Sequence, residues 1–348
     1  MEHSQIAPDA AGKLSAKLRC VFWIVLVLVG AHFTLNYLSL EKPFLYSDKF
    51  AYGHERGPYQ YRYLMGLMMR WVEPTIAKLP LPENVPPGLR DPWILAVGVF
   101  VFPSIVLGTF ATRLSLEKFT RAPLYSCVAA FLFPLMGYFN FILPIGENYL
   151  LPYDIPSLGF FAVGMAAIVL DRRWLFYPVF ALACCNRETA CFLSVLFVIA
   201  YWHRRERRGI LAAELLAQIA IWGSIYVGVR IYLRGIPVEH VHHLASNLRL
   251  LIHPLQWPAL AANFGFLWVL WLLGWRRIEP VWFRRAGIIV PIWIAVMIWV
   301  GVIVEIRVFG ELIAYMAVAV GLVLWRGMES ATRFTATRSS ELQPNCVD

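Results

Sequence analysis

Apolar stretches close to 20 residues long recur along this chain from about residue 20 to about residue 325, separated by short segments that hold most of its charge. A helix crosses the hydrocarbon of a bilayer in about 20 residues, so each stretch reads as a membrane span. The 348 residues are 59% hydrophobic and 15% charged, where a soluble globular domain carries about 25% charge. The expected fold is all-α, a polytopic transmembrane helical bundle of about ten spans. It forms one transmembrane domain over 20–327, with polar arms at 1–19 and 328–348 outside it.

The formal net charge is +9. Lys and Arg fall in alternate short loops, the distribution that sets topology with positive loops in the cytoplasm. The charge therefore reports orientation, and no nucleic-acid partner is expected. Six cysteines occur without a CxxC pair or metal-ligand spacing, and five lie in or beside apolar runs, as packed thiols do. The first apolar run is too long for a signal-peptide core and reads as a retained span.

Lys13, Lys17 and Arg19 place the N-terminus in the cytoplasm. The loops then alternate through spans at about 20–40, 93–112, 124–143, 155–170, 210–233, 257–275, 286–304 and 312–325. Both termini come out cytoplasmic, as in an inner-membrane protein of a bacterium. In the first outer loop, 60–78 reads as a helix along the membrane surface, with Leu64, Leu67, Met68 and Trp71 on one face beside Arg62 and Arg70.

Residues 174–202 carry Asn186-Arg187-Glu188 in the middle of an apolar stretch. As one helix it would reach about 43 Å, but every later loop would then invert against the positive-inside rule. Two short arms of about 20 Å each, joined by a tip below the outer surface, keep the loops in register. Irregular backbone at that depth must be buried in protein or line a cavity.

Charge at membrane depth costs roughly 2.5–3.5 kcal/mol per residue on insertion scales, so it tends to mark a site. Three polar clusters map to the outer side: Glu147 and Asn148 with Tyr153 and Asp154, Asn186 to Thr189, and Glu305-Ile306-Arg307 with Glu311. A fourth, Tyr46-Ser47-Asp48-Lys49, precedes Arg62 in the first outer loop. Together they suggest a recessed polar cavity. Each also has a bland reading. Asp48 is compatible with a solvated loop. Asp154 sits where an N-cap belongs. Arg187 and Glu188 could pair with each other, and Arg307 with Glu311 at i,i+4. His240, His242, His243 and His253 lack tetrahedral ligand spacing and fit an interfacial helix. No nucleotide-binding, HExxH or GxSxG motif occurs.

In arrangement the chain resembles the C-type integral-membrane glycosyltransferases, which take a sugar from a polyprenyl-phosphate carrier on the outer side of the membrane. An acidic residue follows the first span, here Asp48; an interfacial helix follows it; and short mid-chain helices carry polar residues outward. The chain also looks like a set of bacterial multi-span membrane proteins with similar Tyr59-Gln60-Tyr61-Arg62, Asn186-Arg187-Glu188-Thr189 and Glu305-Ile306-Arg307 stretches.

The resemblance implies transfer of a sugar from a polyprenyl-phosphate to a glycan or lipid of the cell envelope. Asp48 would be the base, with Glu188 and Asp154 as the other catalytic candidates. Arg187 and Arg307 would grip the carrier phosphate. Arg62, Glu147, Asn148, Tyr153, Asn186 and Glu305 would complete substrate binding. No cofactor is implied beyond a divalent cation that Asp154 would share with Asp48. The alternatives are a transporter or flippase for a lipid-linked or anionic substrate, and a non-catalytic subunit of a polysaccharide assembly system.

Overall fold

The computed structural model describes residues 15–80, 86–143, 149–202, 208–238 and 242–341, without the side chains of 47, 48, 87 and 333–341. Helix α1 is Ala16–Leu40, started by the Ser15 hydroxyl accepting from the Leu18 N–H. Helix α2 is Tyr63–Ile76. Helix α3 is Pro92–Thr120, where Asp91 caps the Trp93 N–H at 2.9 Å and Pro92 takes the first helical position. The chain continues through α4 (Pro123–Phe141), α5 (Asp154–Val169), α6 (Arg173–Asn186), α7 (Phe192–Tyr201) and α8 (Arg208–Tyr232). It ends with α9 (Leu244–Ile252), α10 (Trp268–Gly274), α11 (Val281–Val300) and α12 (Leu312–Glu341).

Among the described residues, six helices are long and apolar enough to cross a membrane: α1, α3, α4, α8, α11 and the Leu312–Thr332 part of α12. The helical, multi-span class is therefore as expected, while the expected count was about ten. The remaining apolar segments are shorter. Helix α5 has 16 residues and reaches about 24 Å. The stretch expected as a span at 257–275 is broken. Phe264, Gly265 and Phe266 all have positive φ, at 57°, 62° and 61°, and left-handed residues cannot continue a right-handed hydrogen-bond ladder. The Asn140 side chain meets the freed backbone, its Oδ1 accepting from the Phe264 N–H at 2.7 Å.

Residues 173–201 form a hairpin. The Phe176 and Phe197 rings lie 5.0 Å apart, and the Arg173 guanidinium sits 4.6 Å over the Tyr201 ring. The beginning of α6 thus lies beside the end of α7. Arg187 is extended (φ −157°, ψ 137°) and a 3₁₀ turn, Glu188–Cys191, completes the tip. Arms of 14 and 10 residues reach about 21 and 15 Å, well short of a hydrocarbon core of about 30 Å.

Helix α3 is the hub and packs against α1, α2, α5 and α12. The antiparallel run of the helices sorts the loops between two ends. At one end the end of α3 and the starts of α4 and α11 gather beside the middle of α12: the Tyr125 and Trp325 rings are 4.9 Å apart, the Phe119 and Trp282 rings 5.9 Å, and Arg326 pairs with Glu279. The basic loops, including Arg121, Arg173 and Arg276, belong to this end. The other end holds the C-terminus of α1, helix α2, the start of α5, the hairpin tip and the segment before α12. There Lys42–Pro43 and Tyr149–Leu150 pair as two parallel two-residue strands, β1 and β2.

Helix α2 lies at this second end, as expected for 60–78, but turned about its axis. It buries Met65, Gly66, Met69 and Ile76 against the bundle. Met68 and Trp71, from the expected apolar face, point outward, with Trp71 73% exposed. The helix is apolar on both sides, so one apolar face packs on protein and the other is left exposed.

Candidate functional site

Asp154 opens α5 and is 1% exposed. The helix begins after Tyr153, so the carboxylate is turned inward and caps nothing. Two arginines take its two oxygens. Arg187 Nη1 approaches Oδ1 at 3.2 Å, and Arg307 Nη1 approaches Oδ2 at 2.7 Å. Arg187 Nη1 also lies 3.2 Å from Glu311 Oε1, which accepts from the Thr189 hydroxyl at 2.8 Å. Arg307 closes the other flank by pairing with Glu305 through Nη2. The result is a chain of alternating charges from Glu305 through Arg307, Asp154 and Arg187 to Glu311. Buried charge of this kind is tolerated only when paired and hydrogen-bonded.

The local backbone explains the partners. Residues 306–309 form a 3₁₀ turn before α12 starts at Leu312, so Arg307 and Glu311 are not neighbours on one α-helical face. The i,i+4 pair is therefore replaced by two separate bonds to Asp154 and Arg187. Arg187, extended at the hairpin tip, turns into the network, whereas Glu188 turns to the other side. They do not pair with each other.

Asn186 ends α6 fully buried and donates to the Tyr153 carbonyl at 3.0 Å and the Ser157 hydroxyl at 2.6 Å. Tyr153 is equally buried. Its hydroxyl accepts from Arg62, whose guanidinium carbon stands 4.2 Å over the Tyr153 ring. The structure thus brings together Arg62, Tyr153, Asp154, Asn186, Arg187, Glu305 and Arg307. Glu147 and Asn148 lie outside the described residues, as does the Asp48 side chain. The Asp48 backbone belongs to the single helical turn Ser47–Phe50 at the same end of the bundle.

Glu188 faces a small cavity of about 10 Å³ shared with Tyr61, Trp222, Tyr226 and Arg230. Trp222 donates its indole N–H to the Glu188 carbonyl at 3.0 Å, and the Arg230 guanidinium lies 3.3 Å over Tyr226 and 4.4 Å over Tyr61. Five buried side-chain atoms around the network have no hydrogen-bond partner among the described residues: Nε of Arg62, Arg187 and Arg307, Asn186 Oδ1 and Glu311 Oε2. Unmet donors beside paired arginines are the features an anionic group would satisfy.

Sequence reasoning passed over several participants. Glu41 follows α1, is 9% exposed, and donates its backbone N–H to the Tyr37 carbonyl. Burial pushes its carboxyl up from 4.5 to about 7, with the nearby Arg307 charge acting against the rise. Tyr37 bonds through its hydroxyl to both the carbonyl and the N–H of Leu151. The signal for Glu41 was its place directly at the end of a span. Ser157 is one turn from Asp154, which is a weaker hint.

The neighbouring cavity is apolar. About 550 Å³ of space lies between α10, α11 and α12, lined by residues such as Trp268, Trp271, Ile294, Ile303, Phe309 and Leu312. The last three flank Arg307 and Glu311 in the chain. No group of three or more His, Cys, Asp or Glu that could hold a metal ion occurs among the described residues. His242 instead sets its ring edge-on to Trp299 at 5.8 Å.

No family model matches the chain, and no curated protein or solved structure matches it either.

Proposed function

We propose that this chain is a membrane glycosyltransferase that moves a sugar from a polyprenyl-phosphate carrier to an envelope glycan or lipid. The observation that carries the reading is the adjacency of an apolar cavity and a buried charge network. The segment 303–312 lines a 550 Å³ apolar cavity on one side and supplies Arg307 and Glu311 to a buried charge network on the other. A substrate with a long apolar tail and a phosphate head needs that combination.

In this reading the acceptor hydroxyl attacks the anomeric carbon, the bond from that carbon to the phosphate oxygen breaks, and polyprenyl phosphate departs. Asp48 or Glu188 takes the acceptor proton. The unpartnered Nε groups of Arg187 and Arg307 meet the charge developing on the leaving phosphate, in an interior where such donors act strongly. Asp154, with both oxygens held by guanidinium groups, orients those two arginines. Counting α5, the two hairpin arms and the broken 257–275 segment with the six long helices gives the ten membrane-embedded segments of this reading. The end that holds the network faces away from the cytoplasm.

The test is mass spectrometry of lipid-linked and envelope glycans from cells lacking the protein, complemented with wild type, Asp48→Asn or Glu188→Gln. Loss of one sugar, restored by wild type and not by one of the variants at equal abundance, supports the transferase. An unchanged glycan profile in the deleted strain removes it.

A further inference from the structure

A second polar cavity lies apart from the charge network. It encloses about 190 Å³ and is lined by Tyr52, Gln60, Tyr63, Arg70, Tyr232 and Leu233, with Ala51, Gly53, Gly66 and Leu67 filling the gaps. Helix α2 contributes Tyr63, Gly66, Leu67 and Arg70, which share one face at i, i+3, i+4 and i+7. The opposite wall is the last turn of α8, where the Tyr232 ring meets Tyr63 edge-on at 5.5 Å.

The walls are fixed before any ligand arrives. Gln60 is 2% exposed, donates to the Phe50 carbonyl at 3.0 Å and accepts from the Glu55 N–H at 3.0 Å. Arg70 donates to the next carbonyl, that of Ala51, through Nε at 3.0 Å and Nη2 at 2.8 Å. These bonds hold the 50–53 turn, which leaves through Gly53 at φ +82°, a conformation that glycine adopts without steric cost. A methyl group at Gly66 would stand 3.1 Å from the Phe50 oxygen, so that position too is shaped for close approach.

The Ala51 carbonyl uses two of the five N–H groups that a guanidinium offers. Arg70 makes no other hydrogen bond or ion pair among the described residues; its guanidinium also lies 5.4 Å from the Tyr52 ring and near the Tyr63 phenol. Among the described residues no carboxylate lines the cavity. An immobilised arginine with spare donors, phenol groups on both walls and no carboxylate among the described lining residues suits an anion. At about 30 Å³ per water-sized group, the space holds about six such groups, enough for the four oxygens of a phosphate. The outer face of α2 carries exposed Met68 and Trp71, the kind of apolar and aromatic surface that suits the headgroup level of a bilayer.

We propose that this cavity is a phosphate-binding site for the headgroup of a membrane lipid, the same chemistry being open to free phosphate. It lies apart from the charge network and stands whether or not sugar transfer is found.

The test uses the purified full-length chain in detergent. Native mass spectrometry compares dioleoyl phosphatidic acid with dioleoylglycerol, which has the same tails and no phosphate. In parallel, the thermal midpoint is followed with millimolar inorganic phosphate. The expected result is tighter retention of phosphatidic acid, with the margin over dioleoylglycerol falling about tenfold in Arg70→Gln. A midpoint that also rises with inorganic phosphate shows that the free anion suffices. Lipid retention without that rise assigns the phosphate to a lipid. Equal retention of the two lipids with no response to phosphate overturns the site, as does a margin that survives Arg70→Gln. If that variant does not fold, the double variant Tyr63→Phe with Tyr232→Phe decides, and an undiminished margin overturns the proposal.

Discussion

Asp154 and Arg307 stand 153 residues apart in the chain and meet at 2.7 Å in the interior of the bundle. Each is at most 6% exposed at the side chain. The bridge joins the start of α5 to the segment that leads into α12, and through Arg187 it also holds the hairpin tip. One carboxylate therefore ties three separate stretches of chain.

Removing that carboxylate leaves two buried guanidinium groups facing each other. Asp154→Ala is expected to cost about 3–5 kcal/mol, the range for breaking a buried pair from one side. Denaturant titration in detergent micelles measures it, with a double-mutant cycle to Arg307→Met apportioning the pair. A cost below about 1 kcal/mol would mean that the arginines find other partners or water.

Glu41 gives a pH dependence with a definite sign. Its carboxyl is held neutral by burial and rises from 4.5 to about 7. Stability from this group is complete below the unfolded value and is lost as pH climbs through the folded one. The wild-type thermal midpoint should therefore fall between about pH 4.5 and pH 7 relative to that of Glu41→Gln. Parallel curves for the two proteins would show that Glu41 keeps its ordinary acidity.

The hairpin predicts labelling from one side. Single cysteines at Arg172 and Trp202, placed in a cysteine-free background, flank the two arms. A membrane-impermeant maleimide should reach both from the same face of sealed vesicles. Labelling from opposite faces would require 173–201 to cross as one segment.

Helices α3 and α5 approach closely at Gly159, where an added Cβ would fall 2.9 Å from Ser104 Cβ and 3.1 Å from its Cα and carbonyl oxygen. Small residues permit such contacts between spans. Gly159→Leu should destabilise by about 1–3 kcal/mol or more, as overpacking does. Gly209→Leu, where a Cβ would meet nothing within 4 Å, serves as the control and should fold normally by size-exclusion chromatography.

The sequence made the membrane class and the hairpin readable for simple reasons. Apolar length and basic loops report spans directly, and a 29-residue stretch with Arg187 at its centre conflicts with those loops unless it turns back. Asp154, Arg187 and Arg307 could be singled out because charge is conspicuous among apolar neighbours. Their partners could not. Which carboxylate meets which arginine depends on the 3₁₀ turn at 306–309 and the extended backbone at Arg187, and neither leaves a periodic trace. The break at 264–266 was hidden for a similar reason. Asn140, 124 residues earlier, accepts the Phe264 N–H that the helix gives up, and a local reading cannot see so distant a partner. The outward turn of Trp71 shows how a helix apolar on two sides conceals which one packs.

The 153-residue separation of Asp154 and Arg307 also sets an order of events during synthesis. At about 5–20 residues per second, roughly 8–30 s pass between the emergence of the acid and of its second arginine. For most of that interval Asp154 has only Arg187, which follows 33 residues later. Until residue 307 arrives, the full set of partners that the folded structure gives Asp154 does not exist. A chain cut short before that point lacks the second arginine that Asp154 meets in the folded bundle.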